Sequence, residues 1–116
     1  MRGDKGRNLI VDLSFGFSLK IIRFTSLLEK EKKFVLARQL LRSGTSIGAN
    51  IREAQNAESR ADFIHKMKIA AKEADETEYW LLLLDNLENY SLCKELLTEC
   101  GSIIRVLSKI IGSSRK

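Results

Sequence analysis

The chain has 116 residues, 44% hydrophobic and 30% charged, with 20 Lys/Arg against 15 Asp/Glu for a net charge of +5. That length suits one domain with a single core, and the composition excludes a disordered chain. No proline occurs, which argues for a few long helices over strands and turns, and no run approaches the roughly 20 apolar residues of a membrane span.

Met1 to Asn8 is polar and Leu9-Ile10-Val11 is cut short by Asp12, so no secretory leader is read there. Helix 1 is predicted to run to Lys30 from Asp12 or Ser14, either of which can accept a free backbone N–H as a cap. Leu13, Phe17, Ile21, Phe24 and Leu28 recur at steps of four and three, one helical face. The cluster Glu29 to Lys33 marks a turn.

Helix 2 is predicted from Lys33 to Ala57, with Ala37, Leu40, Gly44, Ile47, Ile51 and Ala54 in one stripe. Gly44, Thr45, Gly48 and Asn50 are poor helix-interior residues, and each glycine costs about 1 kcal/mol relative to alanine. Close approach of a neighbouring backbone is expected to compensate.

Helix 3 is predicted from about Ser59 to Glu88, with Asp62 favourable to the positive end of its dipole. Phe63, Met67, Ala70, Ala74, Thr77, Leu81 and Leu84 form its stripe. Helix 4, capped by Ser91, runs to about Ile111 with Cys93, Leu96, Cys100, Ile103, Leu107 and Ile110 inside, and Gly112 suits its stop. Short connections force consecutive helices to be antiparallel. The expected fold is all-α, an antiparallel up-down-up-down four-helix bundle over residues 8–112, with flexible termini at 1–7 and 113–116.

Cys93 and Cys100 lie seven apart, about 10.5 Å along a helix and beyond disulfide reach. They read as buried free thiols in a reducing cytoplasm. Charge is unevenly spread: residues 20–72 hold 12 Lys/Arg against 5 Asp/Glu, whereas residues 73–88 hold six acids and no base. A basic surplus suits a polyanion such as RNA, and the acidic block suits association between unlike surfaces.

One stripe per helix satisfies a lone bundle, and this chain has more. Trp80 to Leu84 are five consecutive apolar residues pointing all round helix 3, so Trp80, Leu82 and Leu83 are candidates for a homo-oligomer interface. On helix 2, Ser43, Ser46, Asn50 and Glu53 form a polar stripe beside the core, and Glu73 and Glu76 lie on a matching stripe of helix 3. We read these six as a structural hydrogen-bonded seam in which Asn50 and Glu53 have partners, since buried polar groups are paired. A third stripe, Arg38, Arg42 and Arg52 with small residues between, reads as a basic ribbon opposite the core. Arg60, Lys66 and Lys68 add to it as candidates for phosphate contact.

No catalytic constellation, cofactor fingerprint, metal site or small-molecule site is evident. His65 is the lone histidine; Asp62-Phe-Ile-His65 has di-iron spacing, but such sites need two of these motifs and further carboxylates. No phosphate loop occurs.

Arg38-Gln-Leu-Leu-Arg42, the Ser-Ile-Gly-Ala-Asn-Ile core within Ser43 to Glu53, Asp62-Phe-Ile-His-Lys66 and the acid-rich Glu73 to Trp80 together resemble the four-helix-bundle family named for proteins encoded in intervening sequences of bacterial large-subunit ribosomal RNA genes, often labelled ribosomal-protein-like. The resemblance covers about residues 8–112. Many relatives have proline where Gly48 stands, and an aromatic residue near Asp12 and Leu13. The resemblance implies a cytoplasmic bacterial protein, a homopentameric ring, and kinship with accessory proteins of diversity-generating retroelements, which bind nucleic acid and a reverse transcriptase through basic surfaces. It brings no cofactor and no catalytic role. A non-catalytic RNA-binding scaffold is the leading expectation, and a protein–protein assembly module without a nucleic-acid role is the alternative.

Overall fold

The computed structural model describes residues 5–115, with side chains from Leu9 onward. Four helices account for almost all of it: α1 (Lys5–Lys30), α2 (Phe34–Ala54), α3 (Arg60–Leu87) and α4 (Ser91–Ser114). No strand occurs among the described residues. Each helix packs on two neighbours, α1 on α2 and α4, α3 on α2 and α4, and neither diagonal pair approaches. The result is a four-cornered bundle 44 × 20 × 20 Å.

Contacts across each pair run in opposite senses. Glu53 meets Lys66 while Ser43 meets Thr77; Cys93 meets Leu81 while Cys100 meets Ala74. Lys20 meets Glu95 and Phe24 meets Tyr90, closing α4 onto α1. The bundle is therefore antiparallel at these three pairs, and the short α1–α2 turn makes the fourth so.

The stripe read for α3 is its buried face, residue for residue, and the stripe read for α2 is buried together with one residue it did not include, Ser43. On α4, Cys93 to Leu107 are buried, but Ile110 is only partly so. On α1 the phase differs from expectation. Leu13 is exposed, and the core face is Ile10, Ser14, Phe17, Ile21, Phe24 and Leu28. Ser14 hid this stripe because a hydroxyl breaks the apolar pattern, yet it is satisfied locally by donating to the Val11 carbonyl at 3.1 Å.

Several helix ends also differ. α1 begins at Lys5, so neither Asp12 nor Ser14 is a cap. α2 stops at Ala54, three residues early, as Gln55, Asn56 and Ala57 tighten into i→i−3 bonds to Arg52, Glu53 and Ala54. Ser59 caps α3 as its side chain accepts from the Asp62 N–H at 3.0 Å. Tyr90, not Ser91, precedes α4 and makes no side-chain cap, and α4 passes through Gly112 to Ser114. Of the termini read as flexible, residues 1–4 and 116 lie outside the described residues, while 5–7 and 113–114 are helical.

The two α2 glycines face α1. A Cβ on Gly44 would stand 2.9 Å from Ile21 Cγ2, a branch fixed close to its own backbone. Gly48 approaches the Ser18 hydroxyl and the Ser14 carbonyl, where a Cβ would lie at 3.2 and 3.4 Å. Ile21, rather than a neighbouring backbone, is what Gly44 accommodates. Gly16, by contrast, has open space at its Cβ position. Gly44→Ala is expected to destabilise by up to about 2 kcal/mol, an overpacking cost of about 1–3 kcal/mol less the propensity gain of about 1 kcal/mol. Gly16→Ala should instead stabilise by about 0.5–1 kcal/mol. Urea unfolding of both variants checks the opposed signs.

Candidate nucleic-acid interface

The six candidate cations do not form one ribbon. Arg42 turns to α3, where its guanidinium donates to Glu73 at 3.1 Å and to Glu76, which also accepts from the Trp80 indole N–H at 3.0 Å. The bond from Arg42, then that from Trp80, holds the Glu76 carboxyl below the usual carboxylate range. Lys66 donates to Glu53 at 3.0 Å, which raises its ammonium pKa. Arg60 lies beside a 450 Å³ cavity with Phe63, at the α2–α3 turn. Arg38, Arg52 and Lys68 are exposed and carry no ion pair among the described residues.

The seam has a buried centre and a wet edge. Ser43 and Thr77, both fully buried, share a hydrogen bond at 2.9 Å, and the Thr77 hydroxyl also reaches the Glu73 carbonyl at 2.7 Å. Ser46 and Asn50 instead bond back to carbonyls of their own helix, at Arg42 and Ser46. Thr77 was legible as core, but its pairing with Ser43 was not. Thr77→Val is expected to cost about 1–3 kcal/mol by stranding the Ser43 hydroxyl, whereas Ser43→Ala/Thr77→Val should be nearly neutral. A double-mutant cycle in urea measures that coupling.

Sequence reasoning named only part of a basic end, Lys68 and Arg60, and missed its α4 members. The cavity beside Arg60 is also lined by Ser113 and Ser114, which brings the end of α4 to the α2–α3 turn. Residues 101–116 hold four Lys/Arg and no acid, a signal available in the sequence. Lys72 follows Lys68 by one turn and His65 precedes it by three residues, so these exposed groups share the outer face of α3. Arg105 and Lys109 stand exposed on the adjoining part of α4. The far end is mixed: Lys33 lies near Glu31 and Glu88, and Lys94 pairs with Asp85.

Other candidate chemistry is spoken for or isolated. Asp62 accepts from the Glu58 N–H at 3.2 Å, as part of the helix start, while His65 is exposed. Burial pushes the Cys93 and Cys100 thiols up to about 11 and about 12, so both are protonated at neutral pH. No group of three or more His, Cys, Asp or Glu among the described residues could hold a metal ion. No helix among them is long and apolar enough to cross a membrane. On α3, Leu81 and Leu84 are buried, Trp80 and Leu83 partly so, and Leu82 is 46% exposed.

Residues 7–109 match the model of the 23S rRNA-intervening sequence protein family. Among solved structures, the chain is similar to a protein of unknown function from the S23 ribosomal protein family of Bacteroides thetaiotaomicron. The two share 46% identity over 92% of this chain and 98% of that one, with a TM-score of 0.88. Comparison with curated proteins returned no match.

Proposed function

The chain belongs to the 23S rRNA-intervening sequence protein family, and from that premise we propose that it is a non-catalytic, cytoplasmic, homo-oligomeric scaffold that binds structured RNA. The observation that carries this reading is the basic end. There Lys68 and Lys72, beside His65, are exposed on the outer face of α3, and Arg105 and Lys109 are exposed on α4, the helix packed against it. Folded RNA offers closely spaced phosphates, and exposed cations on rigid helices meet them without first breaking intrachain ion pairs. A ring of five subunits, as the family resemblance implies, would present five such ends together and multiply a weak contact. A reverse transcriptase, implied by the retroelement relatives, is not part of this proposal.

The test is a filter-binding titration against structured ribosomal RNA fragments between 50 and 200 mM salt. The logarithm of the affinity should fall linearly with the logarithm of salt concentration, with a slope that counts the phosphates engaged. Absent affinity at low salt, or affinity indifferent to salt, would reject the RNA role. The second reading, an assembly module without nucleic acid, is favoured by the apolar surface left on α3, where Tyr79, Leu82 and Leu87 are exposed.

A further inference from the structure

Among the apolar surfaces of the described residues, two have opposite shapes. One is a groove of about 290 Å³ between α1 and α2, walled by Val11, Phe15 and Ile22 and floored by Thr45, Gly48 and Ala49. Val11, Phe15, Ser18 and Ile22 step by four, three and four, so they form one continuous stripe on α1. The hydroxyls around it are turned inward to their own helices. Ser18 donates to the Ser14 carbonyl at 2.9 Å and Thr45 to the Leu41 carbonyl at 2.7 Å. Their methylene and methyl faces are what remain, and Phe15 is left 64% exposed.

The other surface is a ridge on the second half of α3. Tyr79, Leu82 and Leu87 are 55%, 46% and 68% exposed, and Leu83 is partly so. Tyr79 is braced against Trp80, with ring centroids 5.3 Å apart.

Their charges are complementary. Helix α2 has no acid between Phe34 and Arg52, and of its arginines only Arg42 is drawn off into ion pairs with α3. Arg52 lines the groove without an ion pair among the described residues. Asp75 and Glu78, one turn before the ridge, likewise lack an ion pair among those residues. Two ridges facing each other would oppose acid to acid, and two grooves would leave a void between them. A ridge in a groove brings Asp75 and Glu78 toward Arg52 while Tyr79 and Leu82 cover Phe15 and Ile22.

We propose that the α1–α2 groove of one protomer receives the Tyr79–Leu87 ridge of a second copy of this chain, head to tail. This rests on the homo-oligomeric part of the proposed function and is independent of the RNA part. Because each protomer offers both halves of an unlike pair, the contact propagates from copy to copy, and it ends in a ring where the rotation between neighbours closes.

The test uses two exposed-site variants, Ala49→Glu to block the groove and Leu82→Glu to spoil the ridge. Each alone should raise the dissociation constant on the order of thirtyfold or more, as an unpaired charge at the centre of an interface does. The diagnostic result is their mixture. An Ala49→Glu ridge still fits a Leu82→Glu groove, whereas the remaining junction sets glutamate against glutamate. Light scattering of the 1:1 mixture should therefore show a dimer and nothing larger.

A mixture that stays monomeric, or a Leu82→Glu protein that assembles as the unmodified chain does, overturns the proposal while leaving oligomerisation itself standing. An unmodified chain that is monomeric throughout overturns both. Thr45→Glu and Tyr79→Glu provide a second pair if thermal melts show either first variant to be unfolded.

Discussion

Phe24→Ala is expected to lower the unfolding free energy by about 3–5 kcal/mol, the cost of an emptied aromatic site in a close-packed core. Phe24 is fully buried on α1 and meets the edge of Tyr90 at 5.3 Å and 81°. Tyr90 stands just before α4 and donates from its hydroxyl to Glu31 at the end of α1, so one ring ties the α3–α4 connection to the α1–α2 turn. Losing Phe24 removes both the buried area and the edge contact, the latter worth about 0.5–1.5 kcal/mol. Against a total of about 5–15 kcal/mol for a domain of this kind, such a loss removes a large fraction. Phe34→Ala, at a half-exposed position on the first turn of α2, should shift stability by no more than about 0.5 kcal/mol. Urea midpoints of the two variants measure the contrast, and similar losses in both would count against this account of the core.

Reversing Lys68, Lys72 and Lys109 to glutamate should weaken RNA binding at least a hundredfold near 50 mM salt. It should also flatten the salt slope by about 2–3, since each phosphate contact contributes roughly 0.7–0.9. Arg52 is left intact because it lines the groove between α1 and α2. The matched control is Arg23→Glu/Lys30→Glu/Lys32→Glu, which changes net charge equally on exposed positions of α1 and the α1–α2 turn. Filter binding separates the two cases. Equal losses would mean that overall charge, not the basic end, sets the affinity.

Periodicity alone located the cores of α2, α3 and most of α4, because enough apolar residues recur there to hold the phase across Gly44 and Thr77, although Ser43 was left outside the stripe. It misphased the start of α1, where Ser14 interrupts the stripe and Leu13 offers a false apolar continuation. Helix ends were less legible, since Ser91 and Gly112 carry the right chemistry for a cap and a stop but the chain uses neither. The fate of Arg42 could not be read from α2 at all. It depends on the register of α3, which decides that Glu73 and Glu76, rather than solvent, face the guanidinium. For the same reason the basic end was only half visible. Its α3 and α4 members lie far apart in sequence and meet only once the bundle has closed.

The buried hydroxyl pair has a consequence for the uniqueness of this packing. Sliding α3 by one turn along α2 would bring Ala74 or Leu81 opposite Ser43, apolar residues that offer its hydroxyl no hydrogen-bond partner. Ser43 and Thr77 thus work like a vernier mark, penalising neighbouring alignments more than they strengthen the right one. A chain with both hydroxyls erased should melt at much the same temperature yet wander among alignments, giving broadened or doubled amide resonances along α2 and α3.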